Sequence, residues 1–129
     1  MNYKIVARYI KNLDFNISKP EIFLSLAKDI AKYKFKIDIT SNRFKDNIIE
    51  VQTKLSLEPK DKDFTTIKAS VSYALLVEID KDLKDKNELE QIMLIEIPKK
   101  TYPDLRKTFI YIFEKSGFKE INIEQDIDF

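Results

Sequence analysis

The 129-residue sequence has no cysteine, no histidine and no tryptophan, and it has a single glycine. Each absence excludes a class of chemistry. Without His or Cys there is no Ser-His-Asp or Cys-His nucleophile system, and no zinc site of the usual His/Cys kind. A Walker loop or a dinucleotide fingerprint needs several glycines. Paired carboxylates or lysine remain for catalysis, but no two acids have a spacing that obliges them to meet. The expectation is therefore a binding protein, not an enzyme, and one that uses no cofactor. No apolar run approaches the ~20 residues of a bilayer span, so membrane insertion is not expected. The opening residues, Met-Asn-Tyr-Lys-Ile-Val-Ala-Arg, carry no signal-peptide core, which points to the cytoplasm.

An excess of one charge is also missing. The 23 basic and 22 acidic side chains give a net charge of +1. They interleave, as in Lys60-Asp61-Lys62-Asp63, where a nucleic-acid binder would show a basic stripe. No nucleic-acid partner is expected. With 43% hydrophobic and 35% charged residues, the chain reads as one folded domain over 1–129, small enough to gain from oligomerisation.

Alternation of apolar and polar residues marks four strands. In the first, Tyr3, Ile5, Ala7 and Tyr9 oppose Lys4 and Arg8, and the strand runs on toward Leu13, Phe15 and Ile17. After the break at Ser18-Lys19-Pro20, residues 21–31 suit a short helix or an ordered crossover. Residues 33–40 place Tyr33, Phe35, Ile37 and Ile39 on one face, and Arg43 to Asn47 reads as a polar connection. Residues 48–58 alternate most strictly. Pro59 to Asp63 reads as a charged turn. The fourth strand, 64–79, loses its alternation at Ala74-Leu75-Leu76-Val77, as a stretch buried on both faces does. Asp80 to Asn87 reads as a linker.

From Glu88 the period becomes helical, with an interruption expected at Pro98. A long helix is expected from Pro103 to Ser116, with Leu105, Phe109, Ile112 and Phe113 on one face and Ile110 and Tyr111 on another. Gly117 is the expected C-terminal cap. The ending, Glu120 to Phe129, reads as extended and acidic. The expected fold class is α+β: a four-stranded antiparallel sheet with the long C-terminal helix packed on one face.

The segment Ile97-Pro98, Tyr102-Pro103-Asp104-Leu105-Arg106, Ser116-Gly117-Phe118-Lys119-Glu120-Ile121-Asn122-Ile123 resembles the closing part of SecB, the bacterial export chaperone. Tyr9-Ile-Lys-Asn-Leu-Asp-Phe15 is similar to the family's first strand. The resemblance implies a homotetramer built as a dimer of dimers, which binds non-native polypeptides in apolar grooves without ATP. It also implies departures. The acids with which family members dock on the SecA motor correspond here to Asn12, Asn16 and Ser70, and Lys68 stands beside them. SecA is therefore a doubtful partner. The family's last helix would begin where this chain ends. A related branch of SecB-like chaperones, which guard the antitoxin of a toxin–antitoxin pair, fits such losses.

Two readings stand for each candidate residue. Phe23, Leu24, Leu26, Phe35, Ile37 and Ile39 line a groove for extended polypeptides, preproteins or an antitoxin among them, or else they are ordinary core. Ile110 and Tyr111, with Tyr102, form a subunit contact or the second side of a two-sided core. Ala69, Val71 and Tyr73 correspond to family positions between dimers, or they line the inner face of the sheet. Arg106 pairs with a carboxylate at an interface or is solvated. The acids Asp80, Asp82 and Asp85, and Glu124, Asp126 and Asp128, read as solvated linker and tail with no metal role. A small adaptor domain that binds one folded partner through a strand edge is the alternative from another class.

Overall fold

The computed structural model describes residues 2–29, 33–59, 68–118, 121 and 123–129. The elements run β1 (Tyr3–Asn16), α1 (Pro20–Asp29), β2 (Tyr33–Lys45), β3 (Ile48–Pro59), β4 (Lys68–Ile79), α2 (Lys86–Gln91), a π-helical turn (Ile92–Glu96) and α3 (Ile97–Lys115). Of the expected turn from Pro59 to Asp63, Pro59 ends β3, and residues 60–63 lie outside the described residues, as do 64–67 of the expected fourth strand and the last two residues of the expected 21–31 helix.

The four strands form one antiparallel sheet in the order β1-β4-β3-β2, so β1 and β2 are its edges. The alternation of β3 sets the architecture. Ile49, Val51, Thr53, Leu55 and Leu57 are all buried beneath α3, and the residues between them face the other side. A single helix layer covers one face and leaves the opposite face open. Under α3 lie two clusters. One gathers Leu55, Leu57, Ala69 and Val71 with Leu105, Phe109, Phe113 and Phe118; the other gathers Tyr3, Ile49, Val51, Leu75, Val77 and Ile79 with Ile92 and Ile97.

The structure corrects the expected elements in four places. In β1, register shifts fall between Ile5 and Ala7 and between Ile10 and Asn12. Val6 and Lys11 are the extra residues of two bulges. Paired residues share a face, so the helix side of β1 carries Tyr3, Ile5, Arg8, Ile10, Leu13 and Phe15. Ala7 and Tyr9, expected beside Tyr3 and Ile5, lie on the open face. In β2, the strand continues to Lys45, and Arg43, Phe44 and Lys45 belong to it; a bulge at Phe44 and a tight turn at Asp46 (φ 48°) end the pairing. Asp tolerates this left-handed backbone better than most residues.

In the third place, Lys86 and Asn87 belong to α2, which Asp85 caps by accepting the Asn87 N–H at 2.9 Å. In the fourth, the helix does not break at Pro98. It runs from Lys86 to Lys115 through both prolines, with the π-turn immediately before Pro98. A proline ring clashes with the carbonyl four residues back and supplies no N–H. The wider π-turn carries the chain past that obstacle, and Ile97 N–H bonds back to the Ile92 carbonyl. Among the described residues, no helix is long and apolar enough to cross a membrane.

Candidate functional site

At the far end of α3 the core comes to the surface. A chain of aromatic rings runs Phe23–Phe118 (4.8 Å between centroids), Phe118–Phe113 (5.3 Å), Phe113–Phe109 (5.1 Å) and Phe109–Phe35 (5.6 Å), with Phe15 edge-on to Phe113 at 5.1 Å. Its middle members Phe109, Phe113 and Phe118 are buried, whereas Phe23 and Phe35 at its ends are only half-buried. Ile17, Ile22 and Ile37 join them as half-buried side chains on the same cluster. Leu24 beside Phe23 is 68% exposed, the most exposed large apolar side chain among the described residues. The result is a strip with an apolar floor that continues into the core. It suits alternate apolar side chains of an extended chain better than any reactive group.

Gly117 builds one end of this strip. Phe118 N–H bonds to the Phe113 carbonyl at 3.1 Å and Gly117 N–H to the Glu114 carbonyl at 3.2 Å, a Schellman ending of α3 with Phe118 on Phe113. The motif needs the positive φ of Gly117, +106°, and a side chain there would meet the Phe23 ring at 3.2 Å. The chain's one glycine thus fixes where Phe23 and Phe118 meet.

The six expected groove residues do not form one set. Phe23, Phe35 and Ile37 belong to the strip, and Leu24 stands at its exposed edge. Leu26 is fully buried and supports the strip from inside, because it lies on the inward face of α1. Ile39 packs against the other cluster, farther along β2. Phe15, Ile17, Ile22, Ile127 and Phe129 are members that the sequence reading missed. For the last two, the alternation Ile123-Glu124-Gln125-Asp126-Ile127-Asp128-Phe129 was the available signal.

The expected interface residues also divide. Ala69 and Val71 are 4% and 2% exposed beneath α3, and Tyr102 is 2% exposed, so their surface is already covered within one chain. Tyr102 donates its hydroxyl to the Glu124 carbonyl and packs edge-on against Phe129; burial raises its pKa. Arg106 is half-buried, and its Nε donates to the Ile123 carbonyl at 3.0 Å. Both residues hold the C-terminal segment by its main chain. Tyr73 is half-buried, with its hydroxyl on Thr108. Ile110 is half-buried and Tyr111 is 58% exposed, and Ile10 and Leu13 on the edge strand are 48% and 49% exposed.

On the open sheet face, Tyr9 and Lys11 both donate to the Glu50 carboxylate. The Lys11 ammonium, and then the Tyr9 hydroxyl, hold Glu50 below the usual carboxylate range, and the same contact raises Tyr9. Asn12, Asn16, Ser70 and Lys68 share this face, with Asp14 among them. A separate crevice of about 360 Å³ lies between the chain start and α2, lined by Asn2, Tyr3, Glu88, Gln91, Ile92 and Glu96; it is polar and does not join the strip. Among the described residues, no group of acids is arranged to hold a metal.

This architecture has known counterparts. Residues 1–129 match the family described as SecB, preprotein translocase subunit SecB. The putative protein-export protein SecB of Pelagibacter ubique is 34% identical over 128 residues, covering 99% of this chain and 91% of that protein. The protein-export protein SecB of Rhodospirillum rubrum is 26% identical, covering 97% of this chain and 76% of that protein. Among solved structures, the Mycobacterium tuberculosis SecB-like chaperone, in complex with a peptide from the HigA1 antitoxin, superposes with a TM-score of 0.69. That match covers 95% of this chain and 86% of the other at 12% identity, which speaks for a shared fold. With its whole length matched by the family, its four-stranded sheet and its long C-terminal helix, the chain belongs to the SecB family.

Proposed function

We propose that this protein is an ATP-independent holdase of the cytoplasm that keeps non-native polypeptides, preproteins among them, from aggregating, and that it catalyses no reaction. One observation carries this reading: the half-buried aromatic strip from Phe23 to Phe35, which continues into the core instead of closing over it. Apolar surface rimmed by polar residues marks an interaction site. Phe23, Leu24, Phe35 and Ile37 are the proposed contacts with the polypeptide. The decisive assay follows aggregation of a chemically unfolded protein by light scattering, without ATP. The protein should suppress it at a few-fold excess, and Leu24→Ser should weaken suppression while shifting stability by no more than about 0.5 kcal/mol, as for other exposed sites. No suppression at a several-fold excess sinks the proposal.

The protein works as a homotetramer in this reading. Ile10 and Leu13 on the β1 edge strand and Tyr111 on α3 are exposed apolar side chains, and they are the proposed contacts with a second copy of the chain. A monomer by light scattering refutes this part.

A dedicated antitoxin chaperone is the second reading. It is favoured by the open face, where Asn12, Asn16, Ser70 and Lys68 leave little for a basic partner such as SecA to grip. Tight, salt-sensitive binding of SecA from the same source contradicts it.

A further inference from the structure

The two apolar clusters beneath α3 do not merge, and polar side chains mark the boundary between them. In β3, Thr53 stands between Val51 of one cluster and Leu55 of the other. In β4, Tyr73 stands between Leu75 and Val71 and turns its hydroxyl to Thr108. Thr53 and Tyr73 are register partners. On the helix side of β1, Arg8 follows Ile5 and pairs with Asp104. In α3, Thr101 is buried one turn after Ile97, and its hydroxyl donates to the Ile97 carbonyl at 2.7 Å. Thr101, Asp104 and Thr108 follow i, i+3, i+7, so they form one stripe of the helix. A polar seam thus crosses the core from the β1 edge to β3.

The seam separates unequal partners. On one side lie the aromatic strip, α1, α3 from Tyr102 onward and the segment 123–129. On the other lie Ile92 and Ile97 with the start of β1 and the end of β4. Interlocked apolar side chains lose their contacts together, but polar contacts at a boundary can be exchanged for water. Arg8 and Asp104 are already 43% and 46% exposed, so their pair is cheap to part. The Thr53 hydroxyl is fully buried with no hydrogen-bond partner among the described residues, and water would supply one. An opening that stops at the seam therefore exposes one cluster only and relieves that hydroxyl.

We infer that the core opens along this seam. The strip-bearing half loosens as one unit while the half around Ile92 and Ile97 stays closed, and the loosened form is the one that takes up a client. This rests on the holdase reading and names how its site becomes accessible.

Hydrogen exchange of the whole protein, read by mass spectrometry, tests the division. Exchange in 105–115 should be at least about tenfold faster than in 75–79, because only the latter waits for global unfolding. Ile97→Val, a mild truncation on the closed side, should speed exchange in 75–79 about fivefold and leave 105–115 within about twofold. Equal acceleration in both places means one cooperative core and overturns the inference. Thr53→Val removes the hydroxyl that opening relieves and leaves the exposed strip untouched. It should slow association with a labelled, reduced and carboxymethylated unfolded protein about fivefold, because the open population shrinks by that factor. Ile97→Val should associate at the parental rate, and so should not mimic Thr53→Val. Parental association by Thr53→Val overturns the role of opening in uptake. Aggregation suppression on the same preparation separates the two levels: its absence defeats the holdase reading, whereas suppression with equal acceleration in both halves defeats the divided core alone.

Discussion

Replacing Gly117 by alanine tests how α3 and the binding strip are joined. At φ +106° an L-residue lies well outside the usual left-handed well near +57°, and a Cβ there costs about 1–2 kcal/mol. The new methyl would lie 3.2 and 3.3 Å from two atoms of the Phe23 ring, so the ring must move by a few tenths of an ångström. Phe23 is half-buried and can swing, at the loss of part of its contact with Phe118, roughly 0.5 kcal/mol. Alanine also stiffens the unfolded chain, which returns about 0.4–1 kcal/mol. The net expectation is a destabilisation of about 0.5–2 kcal/mol, a fall in Tm of roughly 2–8 °C for a chain of this size. Urea unfolding followed by circular dichroism, at one fixed protein concentration, measures it. A midpoint equal to or above that of the parent protein refutes the reasoning.

Thr53 sits fully buried at the centre of β3, and its hydroxyl has no hydrogen-bond partner among the described residues. Thr53→Val keeps the shape and removes that unpaired group, so it should stabilise the protein by about 1 kcal/mol in the same unfolding assay. A loss of stability would mean that the hydroxyl is satisfied after all. Glu50 gives a pH dependence. Its folded pKa lies below its unfolded value, so its contribution is present above the unfolded value and is lost as pH falls through the folded one. Lys11 is 41% exposed, so the contribution is screened and stays below about 1 kcal/mol. Between pH 7 and pH 3 the parent protein should therefore lose slightly more stability than Glu50→Gln, and equal losses would assign Glu50 no role.

Strands β2 and β3 were legible because a sheet covered on one side imposes a strict period of two on its sequence, and β4 was legible from the part of it that keeps that period. The C-terminal cap was legible because one glycine in the whole chain had one place to be. The helix was misjudged at Pro98 because local propensity says that proline ends a helix, and nothing in the sequence announces a π-turn that accommodates it. The face of Ala7 and Tyr9 was misjudged because a bulge is a property of two strands together, and β1 alone does not reveal which residue lacks a partner. The candidate site was half legible. Phe23, Phe35 and Ile37 stand out as apolar residues beside polar ones. Leu26 looks the same on paper, and only the direction of α1 sends it inward. Arg106 matched a family position, but its partner is a backbone carbonyl, which no side-chain pattern encodes.

The two bulges of β1 also bear on how the length of this chain can change. Val6 and Lys11 pair with no residue of β4, and the register resumes directly on either side of each. Losing either one would leave every remaining residue of β1 on its present face. The same loss within β3, where pairing is continuous on both sides, would turn the rest of the strand over and send Leu55 and Leu57 to the open face. Among related chains, one-residue gaps belong at those two positions of the first strand, and an alignment that moves them elsewhere would exchange inside for outside.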